Sequence, residues 1–278
     1  MSELELHIKE AVAYIRTKTK IVPDVAIVLG TGLGGLVQQV RNKVVIPYKA
    51  IPHFPVSTVA SHSGNLILGT LNGCSVVVMQ GRFHYYEGYG MEKVVFPIRV
   101  MGKKGGLGAK TLLLTNAAGG LNPQFKAGDI MFITDHINML GSNPLIGKND
   151  EKFGPRFPDM SEPYSARVRE LAGEIALNLK IPVQHGVFLG THGPTLETRA
   201  EYRFFRTVGA DAIGMSTVPE TIAAVHMGMD VFAMSIITNE CFPDALKPAS
   251  HEGNVEVASK AEARVSAVIG ELVNRLRH

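Results

Sequence analysis

Three polar side chains of different chemistry stand two apart in this chain: Arg82, His84 and Tyr86, in the stretch 80–89 that follows the apolar run 75–79. In an extended segment alternate residues share one face. The spacing therefore predicts that all three point into one cavity at the end of a buried strand. The guanidinium of Arg82 is a planar fork of donors suited to phosphate or carboxylate. His84 and Tyr86 can bond to sugar hydroxyls or handle protons. An anion held beside a hydroxyl-bearing molecule is a reaction geometry. The competing reading is structural: Arg82 and Glu87 as a solvated pair, Tyr86 in the core, His84 a satisfied histidine.

Five more clusters follow apolar runs, where α/β folds bind ligands. GTGLGG at 30–35 lets backbone N–H groups approach an anion, and the Thr31 hydroxyl adds a donor. It superficially matches a dinucleotide fingerprint, but no acidic residue ends a second strand about 20 residues on, as that fingerprint needs. A phosphate loop and a plain turn both stay open. TNAAGGLNP at 115–123 is either a tight turn or a flat backbone surface for a planar ring, with Asn116 as a polar anchor. GPTLET at 193–198 places Glu197 near a helix N-terminus, as a cap or a site group. In GMSTVPE at 214–220, Ser216 can donate to an anion and Thr217 can cap a helix that Pro219 begins. SIITNE at 235–240 sets Asn239, donor and acceptor together, just past a buried strand.

Those groups need a frame. Leu4, Ile8, Val12 and Ile15 fall at helical spacing. Strands are expected at 25–29, 66–71, 75–79, 111–114, 130–134, 186–189, 212–213 and 231–237, with a hairpin turn at Asn72-Gly73. Helices are expected at 91–103 (bent by Pro97), 165–179, 197–208, 219–227 and along the C-terminal apolar period from Ala258 to Leu276. The alternation predicts an α/β layer fold with helices flanking a largely buried sheet. No repeat and no linker interrupts it, so one domain is expected over 1–278. Residues 141–163 are rich in Gly, Pro and Asn and lack a period.

Composition narrows the classes. Of 278 residues, 45% are hydrophobic and 19% charged, which is ordinary for a globular core. A net charge of +3 without a basic stripe argues against nucleic acid and anionic membranes. Cys74 and Cys241 have neither ligand spacing nor a partner framework, so free thiols in a reducing compartment are expected. The first twenty residues carry charges throughout, unlike a signal peptide, and no window reaches a membrane span. The cytoplasm is the expected location.

With HSG at 62–64, GDI at 128–130, DHIN at 135–138 and FGPRFPDM at 153–160, the clusters resemble the trimeric purine nucleoside phosphorylases in order and spacing, from about residue 25 to the last helix. The resemblance implies a single-domain α/β sandwich with a mixed, partly barrel-like sheet, and a homotrimer. It implies reversible phosphate-dependent cleavage of inosine and guanosine, or their deoxy forms, to free base and ribose 1-phosphate. Phosphate would be held by Thr31, His62, Arg82, His84, the Ala117 backbone and Ser216. Ribose would meet Tyr86, Met215 and His251, with Phe157 covering the sugar of a neighbouring subunit. The base would lie on Ala117, Ala118, Gly119, Leu196 and Ile213, read by Glu197 and Asn239. The catalytic contributions would come from His84, Glu197 and Asn239. No metal or organic cofactor is implied, since inorganic phosphate is a co-substrate. Thr31 stands where many relatives have Ser, and Leu196 where an aromatic often packs on the base.

Hydrogen-bond parity then predicts specificity. A 6-oxopurine offers an N1–H that an ionised Glu197 accepts, whereas adenine presents an acceptor there. The rivals are a methylthioadenosine phosphorylase, a phosphorylase extended to xanthosine, a dinucleotide-binding module and a nucleoside sensor. His251 and Asn239 speak against the first.

Overall fold

The computed structural model describes residues 1–56 and 63–276. The first apolar period becomes helix α1 (Glu3–Lys18), with the Ser2 hydroxyl accepting from the Glu5 N–H and Ile8, Ala11 and Ile15 turned inward. Strand β1 (Val25–Leu29) is buried along its whole length. Strand β2 (Arg41–Pro47) was not expected: it is mostly exposed, and its apolar run is only three residues, 44–46. It lies at the edge of the sheet, where one buried residue, Ile46, suffices. Strands β3 (Asn65–Leu71) and β4 (Cys74–Gln80) form the expected hairpin. Asn72 and Gly73 both adopt positive φ at its turn, as a two-residue hairpin of this hand requires.

Helices α2 (Met91–Val94) and α3 (Phe96–Met101) replace the single bent helix expected there. Pro97 sits in the first turn of α3, where its missing N–H costs nothing. Strands β5 (Thr111–Gly120) and β6 (Ile130–Met139), helix α4 (Ala166–Asn178), strand β7 (Val183–Thr191), helix α5 (Arg199–Thr207), strand β8 (Ala212–Gly214), helix α6 (Val218–His226), strand β9 (Asp230–Glu240) and helix α7 (His251–Arg275) complete the order.

The strands form one mixed sheet in the order β2-β3-β4-β1-β5-β8-β7-β6-β9, and β5 also pairs with β9. Strands β5, β8, β7, β6 and β9 therefore close into a five-stranded barrel, while β1, β4, β3 and β2 extend from β5 as an open wing. The partly barrel-like expectation is met. Alternation along β1 divides the core. Ala26 and Val28 join the cluster with α1, α3 and α6, whereas Val25, Ile27 and Leu29 join the cluster with α4 and α7. Helices thus cover both faces of the sheet.

Strands β5, β6, β7 and β9 run several residues further than the apolar runs suggested. Strand β5 continues through TNAAGG and β9 through Asn239. These segments are strand, not the turns after strands, because β5 and β9 hold each other in parallel register from Thr111↔Asp230 to Gly120↔Glu240. Pairing of this kind overrides the weak strand preference of Asn, Ala and Gly. Among the described residues, no helix is long and apolar enough to cross a membrane.

Candidate active site

Between Ala118 and Gly119 the β5–β9 register slips: Ala118 faces Ile237, and Gly119 faces Asn239. Thr238 is the extra residue of this bulge, a device that re-aims a strand. Beside it opens a cavity of about 160 Å³. Its wall includes Thr31, Arg82, His84, Tyr86, Ala117, Ala118, Gly119, Leu196, Glu197, Ile213, Met215, Ser216, Asn239 and His251. Residues from nearly the whole chain length are brought together. Two expected residues are not on this wall as described. His62 lies outside the described residues. Phe157 is 86% exposed on another part of the surface, with Arg156 over its ring at 5.7 Å.

The basic end is built on Arg82. Its Nη1 lies 2.9 Å from Glu220 Oε1, and its Nη2 donates to the Thr115 carbonyl. The solvated Arg82–Glu87 pair is thereby overturned: a guanidinium this deep needs a carboxylate beside it, and α6 supplies one. Sequence reasoning missed Glu220, although its place in the first turn behind Pro219 was a signal. Glu87 turns to His84 instead, accepting from its backbone N–H at 2.8 Å and facing its Nδ1 at 3.2 Å. That carboxylate favours the proton on Nδ1 and leaves Nε2 for the cavity.

Tyr86 does not share an extended face with the other two. It lies in the tight turn Tyr85–Glu87, and its ring stacks on His84 at 4.7 Å with planes 15° apart. Stacking, not strand alternation, brings them together. Burial, then the Glu87 charge, pushes the Tyr86 phenol up to about 12, with Arg82 opposing. The phenol is a neutral donor at ordinary pH.

Ser216 is buried at the end of β8. Thr217 after it has φ +74, rare for a β-branched residue, and the Val218 N–H donates to the Ser216 carbonyl at 2.8 Å to close the tight turn. Such backbone costs on the order of 1–3 kcal/mol. The Asn116 carboxamide helps hold it by donating to Thr217 Oγ1 at 2.8 Å. The Thr217 side chain makes no capping bond to α6, contrary to expectation. The helix N-terminus and its partial positive charge remain beside Ser216.

The glycines of GTGLGG have a packing reason. A Cβ on Gly30 would sit 2.6 Å from the Thr115 carbonyl oxygen, and one on Gly32 would sit 2.9 Å from the Ala258 Cβ. The loop leads into a short 3-10 turn (Gly34–Gln39) rather than the helix of a dinucleotide fingerprint. Thr31 is left on the cavity wall.

The other end is read by Glu197 and Asn239. Glu197 is no cap: Thr198 takes that role, in a reciprocal capping box with Glu201. Glu197 Oε1 instead accepts from the Thr191 hydroxyl at 3.0 Å. The Asn239 Nδ2 donates to Cys241 Sγ at 3.1 Å, and its Oδ1 accepts from Thr238 Oγ1 at 3.1 Å. Tyr202 and Cys241 also line this end, and neither was anticipated. On its helix Tyr202 reads as a core aromatic. Burial raises the Tyr202 phenol strongly, with Cys241 and Glu197 as its polar neighbours, and it pushes the Cys241 thiol up to about 11. Both stay protonated at neutral pH. Among the described residues, no group of three or more His, Cys, Asp or Glu could hold a metal ion.

The cavity thus sets cationic and hydroxyl donors at one end against a carboxylate and a carboxamide at the other, with backbone between. It can hold an anion and a planar polar heterocycle side by side. Residues 24–274 match the phosphorylase superfamily. Purine nucleoside phosphorylase 1 of Bacillus subtilis (strain 168) is 51% identical over 266 residues, covering 96% of this chain and 97% of that protein. Its namesake from Geobacillus stearothermophilus is 47% identical over 269 residues, covering 97% of each. The crystal structure of Schistosoma mansoni purine nucleoside phosphorylase in complex with inosine superimposes with a TM-score of 0.92 at 41% identity, covering 98% of this chain and 97% of that one.

Proposed function

The chain belongs to the purine nucleoside phosphorylases of the phosphorylase superfamily, and on that premise we propose that it prefers 6-oxopurine nucleosides and uses the cavity residues in the following roles. The observation that carries the reading is the opposition of Arg82, His84 and Ser216 to Glu197 and Asn239 across one cavity.

Phosphate binds to Arg82, Thr31, His84, the Ala117 backbone and Ser216, near the α6 N-terminus, and by resemblance His62 joins them. The ribose rests on Tyr86 and Met215, and His251 meets its 5′-hydroxyl. The base lies on the backbone of Ala117, Ala118 and Gly119, with Leu196 and Ile213 beside it. As the C1′–N9 bond breaks, its electron pair leaves with the purine and C1′ becomes cation-like. The phosphate charge stabilises that centre, and a phosphate oxygen then forms the new bond to C1′. Asn239 donates toward N7 or O6, where negative charge builds. Glu197 accepts the N1–H. The Thr191 hydroxyl, donating to Glu197 Oε1, fixes the orientation of that side chain.

Adenine lacks that N1–H and leaves Glu197 facing an acceptor, a mismatch that a site built for hydrogen bonds penalises. No metal or organic cofactor has a role in this scheme. A homotrimer is supported by the exposure of Phe157 together with Ile146, apolar groups that a neighbouring subunit would cover. The cytoplasm suits the two free cysteines.

The test is inosine cleavage by the purified protein with and without inorganic phosphate, with adenosine and methylthioadenosine in parallel. Phosphate-dependent release of hypoxanthine, with little product from the adenine nucleosides, is expected. Preferential cleavage of methylthioadenosine would overturn the base and 5′ assignments.

A further inference from the structure

The nucleoside end of the cavity is framed by two residues at the ends of one surface assembly. Glu197 lies two positions before α5, and His251 is the first residue of α7. Between β9 and α7 runs the segment 241–250, which has no regular structure of its own. The polar side of α5 holds it. Arg199 Nη1 donates to the Pro243 carbonyl at 2.7 Å, and Arg199 Nη2 reaches the Leu246 carbonyl at 3.5 Å. One turn on, Arg203 Nη2 pairs with Asp244 Oδ1 at 2.8 Å. Leu246 packs beneath, against the small apolar cluster that contains Tyr202 and Phe205 of α5.

We propose that Arg199 is a positioning residue: by bridging two carbonyls of the segment 241–250 it fixes where α7 begins, and so holds His251 at the nucleoside. The argument rests on the nucleoside reading of this cavity. A planar fork is the side chain that spans two acceptors with little further loss of freedom, and a lysine at 199 could satisfy one of them at a time. The exposed Arg203–Asp244 pair adds little alone, since solvent screens it. Arg199 therefore carries the tie, and Leu246 is its apolar anchor. Neither group approaches Arg82 or Ser216, so the phosphate end does not depend on the tie.

Steady-state kinetics of Arg199→Ala test this. The KM for inosine should rise by about three- to tenfold. The KM for phosphate should hold, and so should the KM for 5′-deoxyinosine, which lacks the hydroxyl assigned to His251. Arg199→Lys should fall between wild type and Arg199→Ala. Asp244→Ala, which leaves α5 intact, should shift the inosine KM by less than twofold, as expected of an exposed pair. Amide exchange across 241–250 gives a readout independent of turnover and should quicken in Arg199→Ala. Unchanged exchange, or equal rises in the inosine and 5′-deoxyinosine KM, would overturn the proposal. Absence of phosphate-dependent inosine cleavage in the unaltered protein would instead overturn the nucleoside reading, with the exchange result still deciding whether Arg199 ties the segment.

Discussion

Arg82 and Glu220, 138 positions apart, form an ion pair with side chains only 2% and 3% exposed. The pair reconciles two demands. A guanidinium at the floor of a cavity must be ready for an anion, yet it cannot stay buried without compensation. Glu220 takes one edge of the fork from α6, while the same residue, Arg82, lines the cavity.

Glu220→Ala should therefore destabilise the fold by about 3 kcal/mol, because it removes the buried carboxylate beside the Arg82 guanidinium. Glu220→Gln keeps an acceptor and should cost less. Urea unfolding at neutral pH measures both, and an unchanged midpoint in the alanine variant would refute the role given to the pair.

Asn239→Asp should raise adenosine cleavage relative to inosine by about tenfold or more, since a carboxyl oxygen can accept from a 6-amino group where the amide N–H cannot. The ratio of kcat/KM for the two nucleosides decides it. A constant ratio would remove Asn239 from base selection.

Gly119→Ala should block the base and spare the phosphate. The added Cβ would stand 2.5 Å from Cys241 Sγ and 3.2 Å from Ile213 Cγ2, and the sulfur is fixed by its bond to Asn239. Calorimetric titration with hypoxanthine, then with phosphate, should show loss of the first and retention of the second.

The Cys241 thiol has a folded-state value of about 11 against an ordinary 9.0, with burial as the largest cause. The folded state keeps the proton that the unfolded chain begins to lose. Its contribution is complete below pH 9 and fades as the pH rises toward 11, by on the order of 2 kcal/mol. Cys241→Ala has no such group. The stability difference between wild type and this variant should therefore narrow from pH 8 to pH 11 in paired unfolding curves. A constant difference would show that the thiol does not titrate in that window.

Phe157→Ala should weaken nucleoside binding while the assembly state is unchanged, if an exposed ring from one subunit covers the sugar of the next. Sedimentation and inosine affinity, measured together, separate the two effects. Unaltered affinity would return Phe157 to the ordinary surface.

Much of the site could be read from residue types alone. Gly-rich and small-residue clusters behind apolar runs, Arg82 with His84, and Asn239 after the largely apolar run 231–238 all pointed to strand ends, because periodicity and short-range spacing are local properties of the chain. Local signals missed what depends on partners. The exposed edge strand β2 has only a three-residue apolar run, 44–46, to mark it, and pairing with β3 makes it a strand. TNAAGG stayed open between a tight turn and a flat backbone surface, and pairing with β9, joined by β8 at Gly119 and Gly120, holds it extended. Glu197 stayed open between a cap and a site group on spacing alone, and Thr198 takes the capping place.

What the chain determined by itself was the family, the inventory of chemical groups and the alternation of strands with helices, since these rest on residue identity and nearest-neighbour spacing. Tertiary structure alone decided the pairings across the molecule: Arg82 with Glu220, Asn239 with Cys241, Arg199 with the carbonyls of Pro243 and Leu246. Each joins groups on different elements or loops. Which donor meets which acceptor follows from how the barrel closes and how the helices pack on it, and a side chain's type and sequence neighbours do not contain that geometry.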